Sequence, residues 1–569
     1  MVEAPATIGD LAAQAETALQ DGDVAHARTL LQRALEREPR NVRLLQLAAQ
    51  TAEAGGQRAM AVSLLQTALR LAPENRDTLS ALFALCLEQQ NIAAAGQLLA
   101  RDRAIAGEDA AHLLLQAKWA LAICEEEQAE SALAQLCDQA PDHHEALAMQ
   151  ARLAMRRGRA QAPQLFQRAR KHAANDVALL RDHARSHASQ GDYDAALALL
   201  HGALERGHPD ASLTTDKLAL LEESGQVEAG QTALAEAREH ASNDTDLRMA
   251  LGDLMMQRDN PHDALTLLAG QRCNDDPWEV RLAEAQAAGM AGELDHAEQI
   301  LVALQDTGHK VPPLILARHL IRRHRFGDGE ALLQQQLERD PGNISAWALI
   351  DCIWRSIGKL ERHRWLHDPD RVTANLDLGL SAEAVAEAVN WLRQQHHARA
   401  APTGQSLRHG TQTGGAILSF DDDIARMLRH HIGQAIARYI AQWPETDAHH
   451  PLLRLREQKW RFRGSWSVRL GDGGHHKAHI HPEGHISSAS YWVLPDSETP
   501  DDTAGALELG RPPDDLRLDL PPLRTIAPRT GHLVLFPSSL YHGTRSFTAG
   551  ERLTLAFDAT FMNISAEKR

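Results

Sequence analysis

His479-Ile480-His481-Pro482 is followed, 61 residues after His481, by His542, and ten residues later by Arg552. Two imidazoles at i and i+2 of a strand point to the same face. A third, late in the chain and just after a strand, can close on them from across a barrel. Together they offer three neutral nitrogen donors to one metal ion and leave coordination positions open. Arg552 adds a planar guanidinium fork that matches a carboxylate, with Thr554 as a hydroxyl donor two residues on. The chemistry implied is a metal centre beside an anchored carboxylate ligand. A second ligand set stays open, because with His481 as first ligand Glu483 makes a His-x-Glu pair. The chain has 31 histidines, so some cluster by chance, and His475, His476 and His485 read as groups outside the ligand set. Arg552 has Asp558 as an alternative partner, and a cupin-like barrel could hold Zn or Mn through the same histidines.

Positioning these groups calls for strands. Beyond Pro451 short β-type runs replace helical patterning: Gly464–Leu470, Ser488–Leu494, Leu516–Leu520, His532–Phe536 and Leu553–Phe557, separated by Pro, Gly and Asp. Such spacing predicts an all-β barrel or jelly roll. Ser467 and Trp466 before the histidine pair, and Tyr491 and Trp492 after it, are candidates to line its pocket, against the plainer reading of barrel core. Ahead of the strands, helices are expected over 382–395 and 422–443, the second from apolar residues near helical spacing.

The first two thirds repeat. Ala27 and Ala61, and Pro39 and Pro73, are 34 residues apart; Ala95 and Ala129 keep the spacing, and Gly191, Gly230, Ala264, Ala297 and Gly329 continue it to Pro341. This period, with small residues where paired helices cross and proline after the second helix, resembles the tetratricopeptide repeat. About ten copies are expected between residues 5 and 365. Such an array implies a groove that captures a segment of another protein; a spacer or a homodimerisation arm is the rival use.

Bulk properties narrow the class. The net charge of -17 falls wholly within the first 400 residues, since 401–569 carries 19 basic and 19 acidic residues. An acidic array argues against nucleic acid and suits a basic segment or a plain solvated face. The five cysteines have no CxxC spacing and read as reduced thiols, and no signal or membrane segment is recognised, so a cytoplasmic protein is expected.

Several motifs taken together carry a closer likeness: Gln405-Ser406-Leu407-Arg408-His409-Gly410-Thr411-Gln412-Thr413, Gly464-Ser465-Trp466-Ser467-Val468, His479 to Gly484, Ser487 to Tyr491, Gly531 to Thr544 and Arg552 to Phe557. They resemble the double-stranded β-helix Fe(II)/2-oxoglutarate oxygenases. More narrowly, the chain resembles the tetratricopeptide-linked bacterial members, and is similar to the aspartyl/asparaginyl and prolyl hydroxylases. The resemblance implies an all-α repeat superhelix (1–368), a helical connection (369–415) and a jelly-roll oxygenase domain (416–569). It implies Fe(II) on His479, His481 and His542, and 2-oxoglutarate on Arg552, Thr554, Ser467 and Tyr491, with dioxygen as co-substrate. The family's usual second ligand is a carboxylate, where this chain has His481. The expected activity is hydroxylation of a protein or peptide side chain delivered by the repeats. Alternatives are a small-molecule or natural-product hydroxylase that uses the repeats for assembly, and a non-catalytic adaptor.

Overall fold

The computed structural model describes residues 7–89, 91–207, 210–270, 276–402, 404–496 and 503–561. Residues 7–150 form one compact unit and 151–561 a second.

Eleven antiparallel helix pairs run from Ile8 to His367 among the described residues. Side-chain caps start many of them: Asp23 accepts from the His26 amide, Asn75 from Thr78, Asp109 from His112 and Asp192 from Ala195. Each cap satisfies an amide that the first helical turn leaves without a partner. Buried alanines at the expected period (Ala27, Ala61, Ala95, Ala129, Ala264, Ala297) let paired helices approach closely. Cys86, Cys124 and Cys352 are free thiols, and Cys273 lies outside the described residues. Among the described residues no helix is long and apolar enough to cross a membrane.

Among the described residues nine antiparallel strands follow: β1 Ala374–Asp377, β2 Leu407–Gln412, β3 Trp460–His479, β4 Ile486–Val493, β5 Leu507–Leu509, β6 Arg524–Ile526, β7 His532–Pro537, β8 His542–Thr544 and β9 Arg552–Phe561. Their order is β1-β7-β4-β9-β3-β8-β5-β6, with β2 also on β3. The long β3 takes part twice, pairing β9 through 460–470 and β8 through 476–479, so the sheet curls into two halves about it. Two strands come from the stretch expected as a connection, because β1 and β2 are too short and polar to announce themselves. The strand expected over 516–520 does not form. A single 3-10 turn, Asp514–Leu516, is followed by chain without ladder bonds, and its leucines pack on the last repeats beside Trp347 and Leu349. Helices Ala382–Gln394 and Asp423–Ala441 match their expected positions.

Alternation along the strands separates the sheet's two faces. Leu533, Leu535, Leu553, Leu555 and Phe557 join a core with the two helices, whereas Tyr491, Val534 and Phe536 join an inner one with β5 and β6. Within 151–561 the repeats hold the barrel by polar anchors. Arg318 and Arg322 bind Asp515 at 2.8 and 2.5 Å, Arg355 donates to the Gly510 and Pro521 carbonyls, and His367 Nε2 lies 2.8 Å from Ser539 Oγ.

Candidate active site

His479 ends β3 and His542 opens β8, and the two are directly paired across the ladder. His481 lies two residues past the end of β3. One ring nitrogen from each of the three can be chosen so that all lie within 4.8 Å of one another. Ring centroids are 4.2 Å apart for His479–His542, 5.0 Å for His479–His481 and 4.9 Å for His481–His542.

The second nitrogen of each ring is occupied elsewhere. His479 Nδ1 lies 2.8 Å from the Lys477 carbonyl, His542 Nδ1 3.1 Å from the Leu540 carbonyl, and His481 Nδ1 2.6 Å from Asp558 Oδ1. An acceptor at Nδ1 places the proton there and leaves the lone pair on Nε2, which at His479 lies 3.3 Å from the Ser406 hydroxyl; this is the usual means of fixing a metal-binding histidine. Burial, with the neighbouring imidazoles adding to it, depresses His479 to about 3 and holds His542 well below the ordinary histidine range. Both rings are therefore neutral donors near pH 7, as a metal requires.

Arg552 is buried on β9, with its Nε donating to the Gly505 carbonyl at 3.0 Å and its guanidinium 5.3 Å above the Tyr491 ring. Among the described residues it has no carboxylate partner, and Asp558 is engaged with His481 instead. A buried cation of this kind calls for an anion. Arg552 and Thr554 line the same small cavity as the three histidines, together with Trp466, Val468 and Leu507. The donor set and the buried guanidinium thus fit a divalent metal with a carboxylate-bearing ligand beside it.

Residues 464–558 match the model of the family described as "Putative 2OG-Fe(II) oxygenase". The matched segment, which holds the three histidines, Arg552 and Asp558, is similar to that family. No curated protein matches the chain. Among solved structures, a thermophilic TPR protein of Thermus thermophilus aligns at 20% identity, covering 32% of this chain and 98% of its own, with a TM-score of 0.29. PilF of Pseudomonas aeruginosa aligns at 18% identity over 36% of this chain and 92% of its own, with a TM-score of 0.30.

Not every expected residue of the oxygenase barrel reaches the cavity. Ser467 faces the opposite side of β3, where its hydroxyl donates to the Thr554 carbonyl at 2.9 Å and lies 3.1 Å from His396 Nε2. Trp492 likewise faces outward, into the core shared with the two helices. Both depart from expectation because β3 and β4 alternate: Trp466 and Val468 of β3, and Ser487, Ala489 and Tyr491 of β4, take the inner side. Tyr491 lies beneath Arg552 rather than in the wall of the cavity. Glu483 is exposed and paired with Arg463 at 2.7 Å. His485 bonds Thr560, whereas His476 lines the cavity with its ring 5.9 Å from His479.

The functional residue that sequence reading missed is Asp558. Ser487 Oγ donates to its Oδ1 at 2.8 Å, and Ser538 lies 2.9 Å from Ser487, so the carboxylate on His481 is itself held. Its signal was parity: it is on the same face of β9 as Arg552 and Thr554.

Proposed function

We propose that this protein is an Fe(II)- and 2-oxoglutarate-dependent dioxygenase that hydroxylates a side chain of a protein or peptide. His479, His481 and His542 would hold the metal through Nε2, and Arg552 with Thr554 would receive the far carboxylate of 2-oxoglutarate. When bound, the metal and 2-oxoglutarate together supply the activation of dioxygen. The chain's own residues orient and insulate. The Lys477 and Leu540 carbonyls and Asp558 keep the protons on the outer ring nitrogens, and Trp466, Val468 and Leu507 exclude water from the cavity.

The observation that favours a macromolecular substrate is a cleft of about 890 Å³. Gln257, Met290, Leu314 and Leu349, from the first helices of four successive repeats, line one side, and Ile480 and His481 line the other. A segment held along those helices would present a side chain at the metal site. In this reading the repeats deliver the segment and the barrel, with β1 and β2, transforms it.

Anaerobic addition of Fe(II) and then 2-oxoglutarate tests the site through the weak visible charge-transfer band of the chelate. The band is expected in the wild type, lost in His542→Ala, and to require at least about ten times more 2-oxoglutarate in Arg552→Ala, the cost of about 1.4 kcal/mol or more for a lost charge-assisted pair. Bound iron without a band would overturn the proposal in favour of a metal-binding adaptor. Succinate release stimulated by a peptide library, and not by free amino acids, tests the substrate class.

A further inference from the structure

Asp259 sits in the turn between helices Thr245–Gln257 and Pro261–Gly270, where the repeats before and after it place Gly225 and Gly292. All three have positive φ, +62° at Asp259, +74° at Gly225 and +92° at Gly292. This backbone suits glycine, and among residues with a Cβ it is best tolerated by Asn and Asp. A carboxylate held there against backbone preference is a reason to ask what it touches.

It touches two cations of the barrel. Asp259 Oδ2 lies 2.7 Å from Lys477 Nζ and also pairs with Arg408 Nη2. Both contacts lead to the same imidazole. The Lys477 carbonyl lies 2.8 Å from His479 Nδ1. Arg408 Nη1 donates to the Gln405 and Leu407 carbonyls, each at 2.8 Å, on either side of Ser406. The Ser406 hydroxyl in turn lies 3.3 Å from His479 Nε2 and 3.0 Å from His476 Nδ1. The Ser406 turn and the end of β3 are thus both tied to one turn of the repeat array.

We propose that Asp259 is a positioning residue for the metal centre: the repeat turn sets His479 by gripping Lys477 and Arg408. The proposal rests on His479, His481 and His542 being metal ligands. In it, the array is a structural part of the site as well as a means of bringing substrate to it.

Asp259→Gly tests this, because it installs the residue type of the neighbouring turns and removes a Cβ from a positive-φ position while deleting the grip. Co(II) affinity and the shape of its visible d–d band are measured for the full chain, with Lys477→Met, the double variant and His542→Ala beside it. Urea midpoints of the apoproteins are recorded. The expected result for Asp259→Gly is Co(II) binding weakened about 3- to 10-fold, near the lower end for an outer-shell partner. The band should change shape while the apoprotein midpoint is unchanged or higher, and the double variant should lose less than the product of the two singles. Wild-type affinity in Asp259→Gly would overturn the proposal alone, as would a weakening matched by a fall in the apoprotein midpoint and multiplicative with Lys477→Met. A wild-type band that His542→Ala leaves intact would overturn the metal-site reading and this inference with it.

Discussion

The turns between paired helices have the same backbone in the repeats of 7–150 and in those of 151–367, yet they meet different surroundings. Gly22 and Gly56 have φ of +79° and +70°, and a Cβ built on either would meet nothing within 4 Å. Gly158, at +67°, would bring its Cβ within 2.7 Å of the Phe420 ring. Gly191 would meet His397 at 3.2 Å and Gly225 would meet Arg399 at 3.3 Å. At Gly22 and Gly56 the dihedral alone favours glycine, and Cys124 takes the same turn position of the first unit at +56°. At Gly158, Gly191 and Gly225 of the second unit space favours it as well, because Phe420, His397 and Arg399 lie against those turns. One local solution to ending a helix has become, over successive repeats, a rail on which the oxygenase barrel is mounted.

Buried acids sharpen the comparison. In the first unit Asp102 lies between Arg76 at 2.7 Å and His112 at 3.0 Å. In the second, Asp351 lies between His363 at 2.8 Å and His367 at 3.2 Å, and His367 reaches Ser539 in the turn before His542. Asp102→Ala and Asp351→Ala should each cost about 3–5 kcal/mol, as expected when one partner of a buried charged set is removed. Hydrogen-exchange mass spectrometry should place the first loss within 7–150 and the second within 151–561, with weaker Co(II) binding only in the second. Equal loss of metal affinity in both would break the distinction.

Metal addition should separate the units by a similar amount. At a free concentration about 1,000 times its Kd, a divalent ion stabilises the state that binds it by about 4 kcal/mol. That increment is expected as slowed exchange in β3 and β8, none in residues 7–150, and none anywhere in His542→Ala.

Glycine substitutions follow. Gly22→Ala should cost about 1 kcal/mol, the dihedral penalty of a Cβ in this region. Gly158→Ala should cost about 2–4 kcal/mol, since a clash with Phe420 is added to it. Urea denaturation monitored unit by unit by hydrogen exchange reads both, and equal costs would refute the rail.

The smallest effect expected is at acid pH. Hydrogen bonds from Arg76 above all, with the His112 amide, lower Asp109 from 3.8 to about 2. A carboxyl lowered in the folded state contributes stability above its unfolded pKa, and that contribution is lost as pH falls from about 4 to about 2. Because the Asp109 side chain is 44% exposed, solvent screening keeps the contribution under about 1 kcal/mol. Asp109→Asn should flatten that part of the first unit's pH profile and leave the second unit unaffected.

Legibility in the sequence followed the range of the interactions concerned. His479, His481, His542, Arg552 and Thr554 could be read because each belongs to a short motif and their order along the chain is distinctive. Asp558 reads in the sequence only as a partner for Arg552, since nothing local says that β9 brings it to His481. Ser467 and Trp492 read as pocket candidates in the sequence because a strand has two faces and alternation does not say which is inner. The register Val468↔Thr554 settles that. Leu516, Leu518 and Leu520 have a strand's alternation, yet it is satisfied against repeat helices.

The sequence by itself determined the two textures of this protein, helix pairs at a period of 34 and then short strands, and the residue types of a three-histidine site with an arginine beside it. Periodicity and residue chemistry are local properties, and they are written in consecutive residues. Only the tertiary structure decided which face of each strand is inner, which carboxylate holds His481, and that Asp259 reaches Lys477 and Arg408 across the fold. Those outcomes depend on contacts between residues from 70 to more than 200 positions apart, where register and docking, rather than any local pattern, select the partner.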